Sequence, residues 1–301
     1  MRASRASFRI RRSAEERGNC HSVGSAESLQ SCGRAATEPD AAVQVAMPPT
    51  ITSTPLSRAR GCVGDIATLA QRVPLFPVER TMRLACVAEA RTAARVRIGW
   101  ATIFLKAYAE VAAETPALRS WYVGGLRPRI ATSSESVAVL AVNRTDEGFD
   151  RLWFPRVQAP ETRSLDAIQQ FVDRCGRDPV EEMFKRQLEL EMLPAPLRRF
   201  ILRWHMHSRS PKRPGRIGTF SLSTLAGQQA VNRFHPTLCT TSLSYGPMEP
   251  DGRCLVTIIA DHRVLDGSAV ARALARLEQV LTGGLLDQLR SLPAARPAAA
   301  A

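Results

Sequence analysis

The sequence predicts an α/β domain, on three observations. A long apolar helix pattern runs from Ile98 to Glu114, short apolar or alternating runs at 136–142, 218–225 and 254–260 have strand character, and a second amphipathic helix begins at Ser268. In the first helix Ile98, Thr102, Leu105, Ala109 and Ala112 recur at helical spacing, Pro116 stops it, and its apolar face is expected to pack on a sheet.

Residues 1–50 are rich in Arg, Ser and Ala without a sustained apolar period, so they are read as a disordered N-terminal extension. The folded part is expected over 51–287, with Asp65 to Val73 as a short helix and Thr81 to Ala90 as a strand. Ser136 to Val142 reads as a buried β-branched strand, with Leu152 to Val157 returning beside it, and Ser164 caps a helix through Ile168, Phe171 and Val172. From Val180 to Arg209 the chain is helical on both sides of a break at Pro194-Ala-Pro196. Its second half, Leu197 to Trp204, is basic and amphipathic. Such a stretch either packs on the domain with its arginines in water, which is the favoured reading, or lies on an anionic membrane surface. His205 and His207, two apart, face different sides of a helix and suit no metal. Gly218 to Leu225 alternates small polar and large apolar residues as a half-buried strand does, and Cys254 to Ala260 is a fully apolar one. The helix from Ser268 sets Val270, Ala273, Leu274, Leu277, Val280 and Leu281 on one face, and 288–301 is read as a disordered tail.

Composition narrows the partners. The chain of 301 residues carries a formal charge of +13, which favours polyanions, acidic lipid surfaces and phosphorylated cofactors. No cluster interleaves the basic residues with aromatics, so nucleic acid is not expected as a partner. Seven cysteines, an odd number with no C-x-x-C pair, read as reduced thiols of a cytoplasmic protein, and no Cys/His group has zinc spacing, so no metal is expected. No apolar run approaches the roughly 20 residues that span a bilayer.

The chemistry is concentrated in Asp261-His-Arg-Val-Leu-Asp266-Gly267, set between an apolar strand and an apolar helix. A histidine moves a proton readily near neutral pH because its unperturbed pKa is about 6.5. Asp266 can fix the loop by pairing with an arginine, and Gly267 can ease the turn into the helix. Taken alone, a histidine at a strand end is more often structural than catalytic.

The whole string resembles the active-site signature of the acyltransferase components of 2-oxo acid dehydrogenase complexes, whose His-x-x-x-Asp-Gly core chloramphenicol acetyltransferase shares. The strand GTFSLSTLAG, Gly218 to Gly227, is similar to the second signature of that family and sets Ser223 on its catalytic serine. Weaker similarity runs through Ile98 to Tyr122 and Ser136 to Phe149, so that residues 55–285 match in order.

The resemblance implies a two-layer α/β sandwich with a mixed sheet, chloramphenicol acetyltransferase-like, assembled as a homotrimer or as trimers of higher order with active sites between subunits. It also implies a coenzyme A-dependent acyltransferase that uses His262 as general base and Ser223 as oxyanion donor, with Asp266 and Gly267 holding the histidine loop. Arg58, in a Pro-Leu-Ser-Arg string, is the candidate partner of Asp266, and Arg263 is an alternative brace. The inward strand serine bonded to backbone is the structural alternative for Ser223. No lipoyl domain or subunit-binding domain is read in the sequence, so a dihydrolipoyl group is expected in trans, on a separate lipoyl-carrying protein. Residues 181–216 read as an insertion relative to the family, and Thr237-Leu-Cys-Thr-Thr-Ser-Leu stands where the family carries Asn-Pro-Pro-Gln. The alternative to the enzyme is a catalytically silent trimeric scaffold or peripheral membrane protein on the same fold.

Overall fold

The structure is a computed structural model and describes residues 51–146 and 148–293; the expectations for residues 1–50 and for the tail beyond 293 lie outside the described residues. In chain order the elements are α1 (Arg58–Ala70), β1 (Leu75–Arg83), α2 (Ala85–Ala93), α3 (Trp100–Glu114), β2 (Ser120–Val123), β3 (Arg129–Thr132), β4 (Val137–Leu140), β5 (Val142–Asp146), β6 (Phe149–Trp153) and β7 (Arg156–Gln158). They continue with α4 (Leu165–Arg177), α5 (Val180–Met183), α6 (Lys185–Glu191), α7 (Ala195–Met206), α8 (Arg213–Ile217), β8 (Phe220–Leu222), β9 (Thr241–Tyr245), β10 (Arg253–Asp261), α9 (Gly267–Thr282) and α10 (Gly284–Ser291).

Six strands form one sheet in the order β1-β10-β9-β8-β4-β7. Strand β8 is parallel to β4 and to β9, and the other neighbours are antiparallel, so the sheet is mixed. The ribbons β2-β3 and β5-β6 lie outside it. Alternation along each strand sends Met82, Leu243, Tyr245, Val256, Ile258, Phe220, Leu222, Ala138 and Leu140 into one core with the apolar faces of α3 and α9. Helix α3 is buried over nearly its whole length and seats itself on β8 and β9: Phe104 stacks on Tyr245 at 4.4 Å between ring centroids, and Tyr108 leans on Phe220. The Tyr108 hydroxyl donates to Thr241 Oγ1 at 2.8 Å, so the one polar atom of that ring enters the core with a partner. This is the two-layer α/β sandwich with a mixed sheet.

Several expected boundaries move. The strand expected at 81–90 lies earlier, at β1, and Ala85–Ala93 is a helix. Pro77 obscures β1 in the sequence, yet a proline is tolerated there because β1 is the edge strand. The helix expected from Asp65 starts at Arg58, where Ser57 caps it by accepting from Arg60 N at 3.2 Å. Strand β8 is only three residues long, and α10 carries regular structure to Ser291, past the expected boundary at 287.

Residues 181–216 fold as the end of α5 followed by α6, α7 and α8, and α7 packs on α1. Their contact holds a buried ion pair: Asp65, 1% exposed, accepts from Arg198 Nε at 2.6 Å and also pairs with Arg199. Leu69, Leu202, Met206 and Ile217 close a small second core beneath it.

Truncating Phe104 to Ala should cost about 3–5 kcal/mol of stability in chemical unfolding, because the cavity opens between α3 and the middle of the sheet, where neither side can collapse. A loss below about 1 kcal/mol would mean that α3 is not seated on Tyr245.

Candidate active site

Strand β10 delivers the DHRVLDG string to the end of the sheet. Asp261 is its last residue and is 4% exposed. Its carboxylate accepts from Arg263 N at 3.0 Å and forks to Arg263 Nε and Nη2 at 2.9 and 2.7 Å, while the guanidinium lies 4.4 Å over the Tyr122 ring. A fork of this kind fixes both groups in one plane. Val264 N and Leu265 N donate to Asp261 O, so the loop coils as one helical turn, and buried Leu265 anchors it in the core.

His262 therefore points outward. Its backbone N donates to Pro74 O at 3.0 Å, its ring lies 4.8 Å from that of Phe76, and its side chain is 58% exposed. Nδ1 faces Asp266 Oδ1 at 3.4 Å. The contact is longer than a well-formed hydrogen bond, and the Asp266 side chain is itself exposed.

Asp266 is the N-cap residue of α9, and its carbonyl accepts from Ala269 N and Val270 N. No arginine among the described residues pairs with it. Arg58 sits in the first turn of α1, where Nη1 meets Met192 Sδ at 2.8 Å, so the Arg58–Asp266 bond expected from the resemblance is not formed within the chain. The histidine loop is held by Arg263 instead, because that guanidinium starts two residues from a buried carboxylate that needs a counter-charge. Gly267 also differs from expectation. It is the first residue of α9, it is not among the positive-φ glycines, and a Cβ there would meet only Phe76 Cε2 at 4.0 Å, so the turn does not require glycine.

Ser223 follows the end of β8. Its N donates to Leu243 O at 3.0 Å, and Oγ accepts from Asn232 Nδ2 at 3.4 Å. The strand register separates it from His262. Leu222 is level with Leu243 on β9, which is level with Ile258 on β10, whereas His262 lies beyond Asp261 at the other end of that strand. Ordinary strand rise and spacing then put the two residues roughly 16 Å apart along the strands and roughly 10 Å across them. One chain does not bring them together.

A hydroxyl cluster that the sequence does not announce links β8 to β9. His235 Nε2 meets Ser242 Oγ at 2.6 Å, Ser242 Oγ accepts from Ser221 Oγ at 2.7 Å, and Ser221 Oγ meets Thr237 Oγ1 at 2.9 Å. Burial pushes His235 down to about 4, and its Nδ1 has no partner. The available signal was Ser221 and Ser223 sharing one strand face, with Ser242 and Ser244 on another. Burial raises the thiols of Cys62 and Cys175 to about 11 and that of Cys254 to about 12, which makes them poor nucleophiles. Among the described residues no group of three His, Cys, Asp or Glu could hold a metal, and no helix is long and apolar enough to cross a membrane.

This is the sandwich fold of acyltransferase catalytic cores. The chain is similar to a probable dihydrolipoamide acetyltransferase of Listeria monocytogenes at 15% identity and TM-score 0.57, covering 77% of this chain and 94% of that one. It is similar to the dihydrolipoamide acetyltransferase of Azotobacter vinelandii at 18% and 0.55, covering 79% and 96%. To a truncated catalytic core of the 2-oxoacid dehydrogenase multienzyme complex of Thermoplasma acidophilum the values are 14% and 0.56, over 78% and 99%. No protein-family model matches the chain, and no curated protein matches it by sequence.

Two outcomes check this geometry. Gly267→Ala should leave thermal unfolding nearly unchanged, whereas Gly218→Ala, at φ +94° and with its new Cβ driven into Val139, should be strongly destabilising; equal effects would contradict the backbone described at the two loops. His235 is depressed in the folded state, so between about pH 6.5 and about pH 4 the unfolded chain binds the extra proton and stability falls as pH falls. That loss should reach about 3 kcal/mol in urea titrations and should be absent in His235→Gln, provided the variant folds at neutral pH; an unchanged pH slope would contradict a buried neutral imidazole.

Proposed function

We propose that the protein is a coenzyme A-dependent acyltransferase that moves an acyl group between acyl-CoA and a dihydrolipoyl-type thiol, with His262 as general base. The observation that carries this reading is the exposed His262 ring at the end of β10, between a buried Asp261 that forks to Arg263 and the Asp266 carboxylate, whose Oδ1 lies 3.4 Å from Nδ1. A purely structural histidine needs no such support.

A free thiol near pKa 8.5 needs a base to become a nucleophile at neutral pH. His262 Nε2 takes the thiol proton as sulfur attacks the thioester carbonyl. The tetrahedral intermediate carries an oxyanion, which accepts a hydrogen bond from a serine hydroxyl. Collapse expels the second thiolate, and His262 returns the proton to it. No bond to the enzyme forms, and Asp266 stabilises the imidazolium between the two transfers.

Within one chain Ser223 is too far away to be that donor, so the reading requires Ser223 of the partner subunit, in a homotrimer or an assembly of trimers. Leu225, Val231 and Phe234, in the segment that follows Ser223, are exposed apolar residues of the kind a neighbouring chain covers. In the Azotobacter vinelandii enzyme the residues studied for a role in the catalytic mechanism are a serine, a histidine and an asparagine four positions after that histidine. His262 and Asp266 have the same spacing. The formal charge of +13 suits the phosphates of coenzyme A. The acyl acceptor would come from a separate lipoyl-carrying protein, and the setting that fits these substrates is the cytoplasm.

Coenzyme A release from an acyl-CoA panel, with dihydrolipoamide as acceptor, tests the reading. His262→Ala should lower turnover by about two to four powers of ten and Ser223→Ala by about two to three, with unfolding midpoints retained because neither side chain supports the core. Full turnover in His262→Ala would overturn the base. No turnover with any donor, from folded protein, would favour the catalytically silent scaffold or peripheral membrane protein.

A further inference from the structure

Helix α7 is held to the domain by Arg198, Leu202 and Met206, which are buried against α1 and the second core. The aromatic stripe of the same helix points away from that contact. Leu197, Phe200 and Trp204, at i, i+3 and i+7, are 45%, 63% and 65% exposed, and Met192 just before the helix is 65% exposed. The Phe200 and Trp204 rings lie side by side, 6.4 Å between centroids, and with Ile201, His205 and Arg216 they line a shallow surface depression.

The charge around the stripe has one sign. From Ala195 to Ile217 the chain carries seven Arg or Lys and no Asp or Glu. Three of the seven are engaged: Arg198 and Arg199 with Asp65, and buried Arg213 with Gly218 O. Arg203, Arg209, Lys212 and Arg216 are exposed and have no acidic partner among the described residues.

We infer that this face of α7 docks on an anionic phospholipid surface, with Leu197, Phe200 and Trp204 entering the headgroup boundary and the four exposed cations contacting lipid phosphates. A row of apolar rings inside an acid-free basic segment is complementary to a negatively charged interface. It is not complementary to the same face of a second copy, which is equally basic. Nor does it suit residues 1–50, which hold seven Arg against five Asp or Glu and so share its sign. The docked helix ends near the histidine loop: the His207 ring packs edge-on to Tyr122, and the Arg263 guanidinium lies over the same Tyr122 ring. Lipid docking and the His262 loop therefore share one end of the molecule. The inference does not depend on the enzyme reading.

The test uses the full chain with vesicles of phosphatidylcholine alone and of phosphatidylcholine mixed with phosphatidylglycerol. Trp204 is the reporter, since Trp153 is fully buried, Trp121 is 4% exposed and Trp100 is half-buried. Expected are co-sedimentation with the mixed vesicles only, a blue shift of tryptophan emission, quenching by brominated acyl chains, and release by salt. Phe200→Ser with Trp204→Ser should weaken sedimentation at least about tenfold, and Arg203→Gln with Arg209→Gln and Lys212→Gln should do the same, each with its circular dichroism retained. Three results would overturn the inference: no binding to mixed vesicles, binding without a blue shift that the Phe200/Trp204 variant keeps, or a change of oligomeric mass in that variant, which would assign the stripe to a second copy. Coenzyme A release from water-soluble donors should be unchanged in both variants, so a failure here is separable from a failure of the acyltransferase reading.

Discussion

Strands β8 and β10 run in opposite directions through one sheet, with β9 between them, and each is followed directly by a residue to which the proposed acyl transfer gives a role. A hydrogen-bonded register cannot be slipped to bring the two ends together, because a shift of one residue would turn Val256 and Ile258 out of the core. Ser223 and His262 are thus held apart by the same pairing that makes the domain stable. A site that used both would have to take one from each of two chains.

Rigidity at the β10 end comes from short-range contacts made strong by burial. Asp261 is nearly out of water, so Arg263 cannot leave it without stranding a charge, and the guanidinium is trapped in turn against Tyr122. Leu265 pins the other side of the turn. His262, placed between these anchors, keeps its direction while remaining exposed to a substrate. At β8 the polar groups are linked differently: a chain of hydroxyls runs from Thr237 through Ser221 and Ser242 to His235, and burial keeps that imidazole neutral through the physiological range.

What could be read in the sequence follows from how local each feature is. The turn from Asp261 to Gly267 is one contiguous string, and its internal bonds span two to four residues, so the residues around His262 were legible together. Helix α3 and the α9 face were legible from periodicity because each buries a long stripe. Strand β9 was not, since Thr241-Ser-Leu-Ser-Tyr245 reads as polar although all five residues are buried. The role of Asp65 depends on Arg198, 133 residues away, and nothing in either neighbourhood announces the other. The Pro-Leu-Ser-Arg string points Arg58 at Asp266, but the fold of residues 181–216 puts Met192 beside that arginine instead.

The two-chain site can be tested by mixing His262→Ala and Ser223→Ala chains, denaturing them together, refolding, and measuring coenzyme A release against each variant refolded alone. In mixed trimers a site is whole where a chain keeping His262 meets a partner keeping Ser223, and random assembly makes roughly one quarter of the sites of that kind. Recovery of about that share of wild-type turnover is the predicted result. Activity no higher than the mean of the two variants alone, from trimers shown to be mixed, would contradict the shared site.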